Sequence, residues 1–578
     1  MPFKIALIIT ILASFSHQSE SLAHTPFCTL CMSVQQHALD FSQQHWDSLL
    51  SFVSSICQIR STKQLCDYFV LQFGKTIYHS KRKFYESTNY FCSHVVKVCN
   101  PTHEHYDVDR FRLQINRKFP KSTNLLKRSN GRISNSGKDF RVLVLSDIHI
   151  QSDYMYKAPK ECGLPGGCCS RGDGQVDDVK LQAKFWGTTD AFCDIPDYLF
   201  YETVKFIKES VPKVDLIFML GDNAGHNFFK SDGQLLVNAT KIIMDTLKGN
   251  FTDIPIVPVL GNHECDHVDY FDFSDEDNFV IKQIYPLYDK VISKEKIEDL
   301  SKNGFFSVEF DQFNLKVISL NSQFNDAFNT ASFASSNFFE EILLKLSADL
   351  YASEKAGQKV IILSHIPITD YFAIPEINDC LKIMLERFRD TIISILSGHT
   401  HADQLRFLRD SEGKVFQTNL IAPSLTTYSS HNPSFRVCEF KNDALDDYIQ
   451  YKFDIEYYNK RADMGFFDLK FDVAYTLKNE YGIDKWNADG MQQLYDGFMS
   501  KNPVLVGKYV KNYFCMNSVE DVESKQEPLL CEMSDRLNEI FDCDSHTTDG
   551  LVETLFFKIF RNLFIRPVMA PKETDTAV

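Results

Sequence analysis

No stretch of this 578-residue chain reaches the roughly 18 consecutive apolar positions that a membrane-spanning helix needs. No segment repeats itself, which excludes solenoids and propellers. No recognised nucleic-acid-binding motif accompanies its basic segment, so DNA and RNA are not expected partners. What is present suits folded cores. Hydrophobic residues make up 44% of the chain, too many for a disordered protein, and the length leaves room for two to four domains.

Residues 1–23 read as a signal peptide. Lys4 supplies a positive start, Ile5 to Phe15 is an apolar run, and Ser21-Leu22-Ala23 is a small-residue cleavage site. A retained signal anchor is the alternative. The mature protein is expected to begin near His24, without a transmembrane segment. Sixteen cysteines fit an oxidising compartment. Asn238-Ala-Thr and Asn250-Phe-Thr are candidate glycosylation sites.

The formal net charge of −16 is unevenly spread. Residues 24–138 carry 16 Lys and Arg against 7 Asp and Glu, whereas residues 139–578 carry 44 against 69. Seven of the 17 histidines lie between His24 and His105, so acidification makes the basic segment more positive. An anionic membrane surface is the expected partner; a solvated basic face is the alternative.

Residues 24–103 read as helical, with Leu30, Val34, Ala38, Phe41, Leu49, Phe52 and Ile56 near a 3.6-residue stripe. Cys28, Cys31, Cys57, Cys66, Cys92 and Cys99 punctuate the segment, and six cysteines admit fifteen pairings. Residues 104–138 are basic, weakly periodic and rich in Ser, Asn and Gly near their end, which predicts a linker. Short β-rich runs then recur at Phe140–Ser146, Val214–Leu220, Ile256–Leu260, Phe305–Phe310, Leu315–Leu320, Lys359–Ser364 and Ile392–Ser397. Helical stretches such as Tyr198–Ser210 and Phe338–Glu354 separate them. The pattern predicts a layered α/β domain over 139–454. Residues 455–578 read as mostly helical with a polar tail.

Five motifs sit at or just after the ends of predicted strands: Asp147-Ile-His149, Gly221-Asp222-Asn223, Gly261-Asn262-His263-Glu264, Ser364-His365 and Gly398-His399-Thr-His401. Imidazole and carboxylate together suit zinc, iron or manganese. A bridging carboxylate with an open side is what a two-metal hydrolase requires. Each motif alone is weak; all five in this order are specific.

The set resembles the calcineurin-like metallophosphoesterases. The resemblance implies that Asp147, His149 and His401 hold one metal, that Asn262, His365 and His399 hold the other, and that Asp222 bridges them. The six early cysteines resemble the saposin pattern, implying Cys28–Cys99, Cys31–Cys92 and Cys57–Cys66. A saposin domain ahead of this metal signature is similar to the acid sphingomyelinase family, which implies two zinc ions. Cys162-Gly-Leu-Pro-Gly-Gly-Cys168-Cys169 with Cys193 resembles that family's insert, implying Cys162–Cys168 and Cys169–Cys193. Cys531–Cys543 resembles its last bridge. One family cysteine near Asn321-Ser-Gln is missing, and Cys265, Cys380, Cys438 and Cys515 have no assigned partner.

The architecture expected is therefore an α/β metallophosphoesterase, a layered β-sandwich flanked by helices, behind an all-α saposin domain and ahead of a helical C-terminal region. The activity implied is hydrolysis of sphingomyelin to ceramide and phosphocholine at acidic pH by a secreted or lysosomal monomer. His263 is the expected proton donor to the leaving oxygen, with His226 stabilising charge or sharing the role. Glu264 is a candidate to orient an imidazole, and Tyr428 to line the cleft. Two alternatives stand: a nucleotide or other phosphodiesterase, and a lipid-binding protein on an inactive hydrolase.

Overall fold

The computed structural model describes residues 43–58, 63–72, 74, 107–121, 137–162, 166–227, 229, 233–329, 331–332, 338–370, 372–515 and 522–533. The chain divides into two compact units, residues 1–105 with 538–578, and residues 106–537.

In the first unit, the described residues are helical, at Gln43–Cys57 and from Lys63 through a wider turn to Gln72. Leu50, Ser54, Cys66 and Tyr68 are buried. Ser54 Oγ donates to Asp67 Oδ1 at 2.9 Å, and Trp46 Nε1 donates to Gly74 O at 2.7 Å. Cys66 is disulfide-bonded. Cys28, Cys31, Cys92, Cys99 and the side chain of Cys57 lie outside the described residues, as do residues 1–23.

The second unit holds two six-stranded sheets. The strands are β1 (Phe140–Leu145), β2 (Leu216–Met219), β3 (Ile256–Pro258), β4 (Phe305–Phe310), β5 (Leu315–Leu320), β6 (Lys359–Ser364), β7 (Ile392–Ser397), β8 (Gln404–Arg409), β9 (Val415–Ile421), β10 (Ser434–Lys441), β11 (Ala444–Lys452) and β12 (Asp472–Thr476). One sheet runs β12-β11-β10-β1-β2-β3 and the other β4-β5-β6-β7-β9-β8. Strands β1, β2 and β3 are parallel, as are β5, β6, β7 and β9. Such parallel strands, covered on both faces, are near-continuous apolar runs; β2 is Leu-Ile-Phe-Met and every residue is buried. Ser319 Oγ on β5 donates to Pro258 O on β3 at 2.7 Å, tying one sheet to the other.

Two boundaries differ from expectation. The predicted linker contains a helix, Val108–Lys118. Phe111, Ile115 and Phe119 fall four residues apart and are buried, one stripe of an otherwise charged helix. Asp107 caps its start by accepting from Arg110 N at 2.8 Å. Arg387, itself buried against Glu354 at 2.9 Å, donates to Phe119 O at 2.7 Å. The C-terminal region is also not all helical. β12 adds an edge strand to β11, and helix Ala488–Met499 packs on β9, where Thr418 Oγ1 meets Met491 Sδ at 3.0 Å. Residues 106–537 therefore form one packing unit across the predicted boundary at 454.

Candidate metal centre

The C-terminal ends of parallel strands from both sheets converge, which is where open α/β sheets place their sites. β1 delivers Asp147 and His149, β2 Asp222, β3 Asn262, β6 His365, and β7 His399 and His401. Five of these seven residues have left-handed backbone: Asp147 (φ 47°), His149 (46°), Asp222 (57°), His399 (76°) and His401 (63°). They are a third of the 15 non-glycine residues with positive φ among the described residues. Such conformations cost about 1–3 kcal/mol each and persist where surrounding structure imposes them. Gly221 (φ 96°) has the freedom that the tight exit from β2 demands. At Gly261 the need is closeness: a Cβ there would lie 2.2 Å from Asp222 Oδ1.

The ligand atoms fall into two groups sharing Asp222: Asp147, His149, Asp222 and His401, and Asp222, His365 and His399. Asp222 Oδ2 lies 3.4 Å from His149 Nε2 and 3.2 Å from His365 Nε2. One carboxylate oxygen thus faces both halves, and Oδ1 is held by His263 N–H at 2.9 Å. Asn262 Oδ1 sits 2.8 Å from His365 Nε2 and 3.1 Å from His399 Nδ1.

The donor chemistry fits two cations. His149 Nδ1–H donates to Ala224 O and His365 Nδ1–H to Leu220 O, both at 2.7 Å. A neutral ring bound in this way turns its Nε2 lone pair inwards. His365 Nε2 then faces Asn262 Oδ1, whose own amide nitrogen is spent on Asp269 Oδ1 at 2.7 Å. His149 Nε2 and His401 Nε2 stand 3.0 Å apart. With these rings neutral, acceptors point at acceptors inside a buried pocket; bound cations relieve that conflict, and without them protons do. Without metal, burial pulls the His149 and His365 imidazoles down, but Asp222 outweighs it, raising His149 to about 9 and His365 to about 10. The cluster is a dinuclear metal site.

Residues beside the ligands hold them in place. Glu264 is fully buried; Oε2 accepts from Gly261 N at 2.6 Å and Asp222 N at 3.1 Å, and Oε1 from Asn223 N at 2.5 Å. It clamps two ligand loops through their backbones rather than orienting an imidazole. Burial and Asp222 push its carboxyl up to about 7, while these amides favour the charged form. Asp269 fixes which end of the Asn262 amide faces the metals, and Ser146 Oγ donates to Asp147 Oδ2.

The two remaining imidazoles border the same pocket. The His226 and His263 rings are 4.4 Å apart, and lie 4.4 and 4.8 Å from His149. Asp194, buried in the disulfide-stapled insert, accepts from His226 N at 2.6 Å and from its Nδ1 at 3.0 Å, and from Thr426 Oγ1 at 2.8 Å. Tyr428 lies flat on His226, with centroids 3.5 Å apart and planes within 2°. Burial lowers both imidazoles, His263 furthest; Asp194 counters the effect at His226.

In the insert, Cys162–Cys168 and Cys169–Cys193 are bonded. Cys531 is disulfide-bonded, and Cys543 lies outside the described residues. Cys265, Cys380, Cys438 and Cys515 are buried thiols. Cys265 is no ligand: its Sγ donates to Gln323 Oε1 at 3.2 Å. Asn238 is exposed on helix Gln234–Asn250, and Asn250 ends that helix with its amide donating to Thr246 O at 2.9 Å. No helix of the described residues is long and apolar enough to cross a membrane.

The calcineurin-like phosphoesterase family matches residues 140–403, which include all seven ligand residues. The chain is similar to sphingomyelin phosphodiesterase A of Dictyostelium discoideum, 26% identical over 386 residues, or 64% of this chain and 62% of the relative. Sphingomyelin phosphodiesterase 1 of Caenorhabditis elegans is 24% identical over 490 residues, 80% of this chain and 83% of the relative. A cyclic GMP-AMP phosphodiesterase of Mus musculus is 26% identical over 397 residues, 64% and 83% respectively. The chain spans about six tenths of the length of the Dictyostelium relatives. Among solved structures, a dimetal phosphatase from Danio rerio matches with a TM-score of 0.33 at 14% identity, over 54% of this chain and 95% of that one. Residues 140–403 are thus similar to the calcineurin-like phosphoesterases, and the chain more widely is similar to sphingomyelin phosphodiesterases at 24–27% identity.

Proposed function

We propose that the protein hydrolyses sphingomyelin to ceramide and phosphocholine. The observation that carries the reading is the shared Asp222 Oδ2, placed between two sets of inward-facing ligands. The names of the relatives favour a sphingomyelin phosphodiester over others. Two divalent ions, zinc in this proposal, would be held by Asp147, His149 and His401, by Asn262, His365 and His399, and by Asp222 between them. When bound, they supply the positive charge that activates water and offsets charge on the phosphoryl oxygens.

The chain's own residues do the rest. As the bond from water oxygen to phosphorus forms, the bond from phosphorus to the ceramide oxygen breaks. That oxygen leaves as an alkoxide unless it receives a proton. His226 and His263 share this work, and His226 is the one with a buried carboxylate behind it. Asp194 holds the His226 Nδ1–H and leaves Nε2 to face the substrate. Glu264 keeps the Asp222 and Asn262 loops at fixed separation during the displacement.

The working setting in this proposal is acidic, secreted or lysosomal. The basic, histidine-rich residues 24–103 act as a saposin domain on anionic membranes, reversibly and as a monomer. The similarity to a cyclic GMP-AMP phosphodiesterase keeps a nucleotide substrate as the second reading. Purified full-length protein offered sphingomyelin liposomes and a nucleoside triphosphate at pH 5, with and without zinc, separates them. Zinc-dependent release of phosphocholine is expected. Nucleotide cleavage alone favours the second reading, and cleavage of neither refutes both.

A further inference from the structure

Single exposed apolar side chains are ordinary, so Phe192 needs a reason beyond its 49% exposure. Its backbone is pinned on both sides. Cys193 is bonded to Cys169, and its carbonyl accepts from Thr427 Oγ1 at 2.8 Å. Gly166 N donates to Phe192 O at 3.2 Å. The Phe192 ring packs on Tyr428 with centroids 5.5 Å apart, and Tyr428 lies flat on His226 at 3.5 Å. Tyr428 itself is 6% exposed. A file of three rings therefore runs from solvent to the imidazole, and only its outer ring presents free surface.

We infer that Phe192, backed by Tyr428, is the wall of a leaving-group subsite and selects an apolar leaving alcohol. The inference rests on the proposed proton role of His226. A donated proton goes to the departing oxygen, so the part of the substrate beyond that oxygen lies on the His226 side. There it meets a phenyl ring fixed by a disulfide-bonded neighbour. A hydrocarbon chain gains burial against that ring. A sugar, a glycerol or a pyrophosphate loses hydration there and gains no hydrogen bond from it. Phe192 thereby acts as a specificity-determining residue, separate from the ligands that hold the phosphate.

The test compares two soluble substrates with the same phosphocholine headgroup, a short-chain sphingomyelin below its micellar concentration and glycerophosphocholine. The reading is the ratio of their kcat/KM values in the full-length, metal-loaded protein. Phe192→Ser is expected to lower the ratio about tenfold in favour of the glycerol ester, and Phe192→Leu to hold it within about twofold. An unchanged ratio in Phe192→Ser, or an equal fall in Phe192→Leu, overturns the inference. So does a wild-type protein that prefers glycerophosphocholine, an outcome that leaves phosphodiester hydrolysis standing. If the wild type cleaves neither substrate, the proposed function fails separately. Binding of a fluorescent short-chain ceramide then decides: about tenfold weaker in Phe192→Ser supports the subsite, and equal affinity overturns it.

Discussion

Asp194→Asn is the substitution that most directly tests how the site handles its proton. The carboxylate receives three hydrogen bonds, from His226 N (2.6 Å), His226 Nδ1 (3.0 Å) and Thr426 Oγ1 (2.8 Å). Burial alone would raise its pKa, but His226 holds it below the usual range, so it is a charged partner. Asparagine keeps the shape and one acceptor and loses the charge. A hydrogen bond to a charged group is worth about 1.5–3 kcal/mol, and one pKa unit corresponds to about 1.4 kcal/mol. The His226 imidazolium should therefore lose about one to two units of proton affinity, and kcat on sphingomyelin should fall about 10- to 100-fold. Bis(4-nitrophenyl) phosphate provides the control, because nitrophenolate departs without being protonated; its turnover should fall less than about threefold. Both assays belong at pH 5, with metal content measured in parallel. Equal losses on the two substrates would reduce Asp194 to a packing role. No loss on sphingomyelin would remove His226 from the proton path, and the same pair of assays on His263→Ala would then show whether that imidazole carries it alone.

Other consequences are equally open to measurement. Asp222→Asn removes the bridging charge; bound metal, read by elemental analysis, should drop below two ions per chain and turnover on both substrates by about 10³-fold or more. Glu264→Gln retains volume but turns a donor towards Asn223 N–H; loss of one charge-assisted bond predicts destabilisation of about 2–3 kcal/mol, seen in chemical denaturation, with weaker metal binding. In the metal-free protein, His149 and His365 are raised to about 9 and 10. Their contribution to stability is full below about pH 6.5 and is lost as pH rises through 9 to 10. The metal-free Tm should fall across that interval, and metal uptake at pH 7.5 should release about two protons per chain in calorimetry run in different buffers; a rising Tm contradicts the assignment. Cys193→Ser opens the bridge to Cys169, 24 residues away, and should cost about 3 kcal/mol of stability as well as activity, because Asp194 is the next residue.

The fold was legible where burial and sequence periodicity agree. The seven predicted strands from β1 to β7 are short runs rich in apolar residues, and the structure places strands within each. β8 to β11 escaped because their buried positions carry polar side chains. Arg436 on β10 is fully buried, yet it pairs with Asp403 at 2.6 Å, lies over the Tyr448 ring at 4.0 Å and donates to Gln450 at 2.9 Å. Gln417, Thr418 and Asn419 interrupt β9 in the same way, and all three are buried. A pattern of apolar and polar letters cannot show that a buried polar group has its partner on another strand. The helix at Val108–Lys118 is the reverse case. Its three buried apolar residues lie among charges that face solvent or pair with Glu340 and Glu386, so the segment resembled a basic linker.

The site divides along a similar line. Ligand residues must be particular types at strand ends, so they stand out as short motifs however far apart the strands are. The residues that position them are under no such local constraint. Asp194 reaches His226 from 32 positions away, and Glu264 reaches the Asp222 loop from 42. Asp194 is a lone carboxylate in sequence and becomes informative only when the chain folds; Glu264 stands inside a motif, but its hold on three main-chain amides is visible only in the fold. The left-handed backbone at five ligands explains why such carboxylates are needed. Strained turns stay in place only if neighbouring groups hold them, and here the holders are hydrogen bonds to main-chain amides: Glu264 on three of them, and Asp147 on His399 N at 2.9 Å. Metal affinity in this fold is therefore set by carboxylates that fix the backbone as well as by the imidazoles that touch the ions. Substitution of Glu264, which is not a ligand, should weaken metal binding without removing a single ligand.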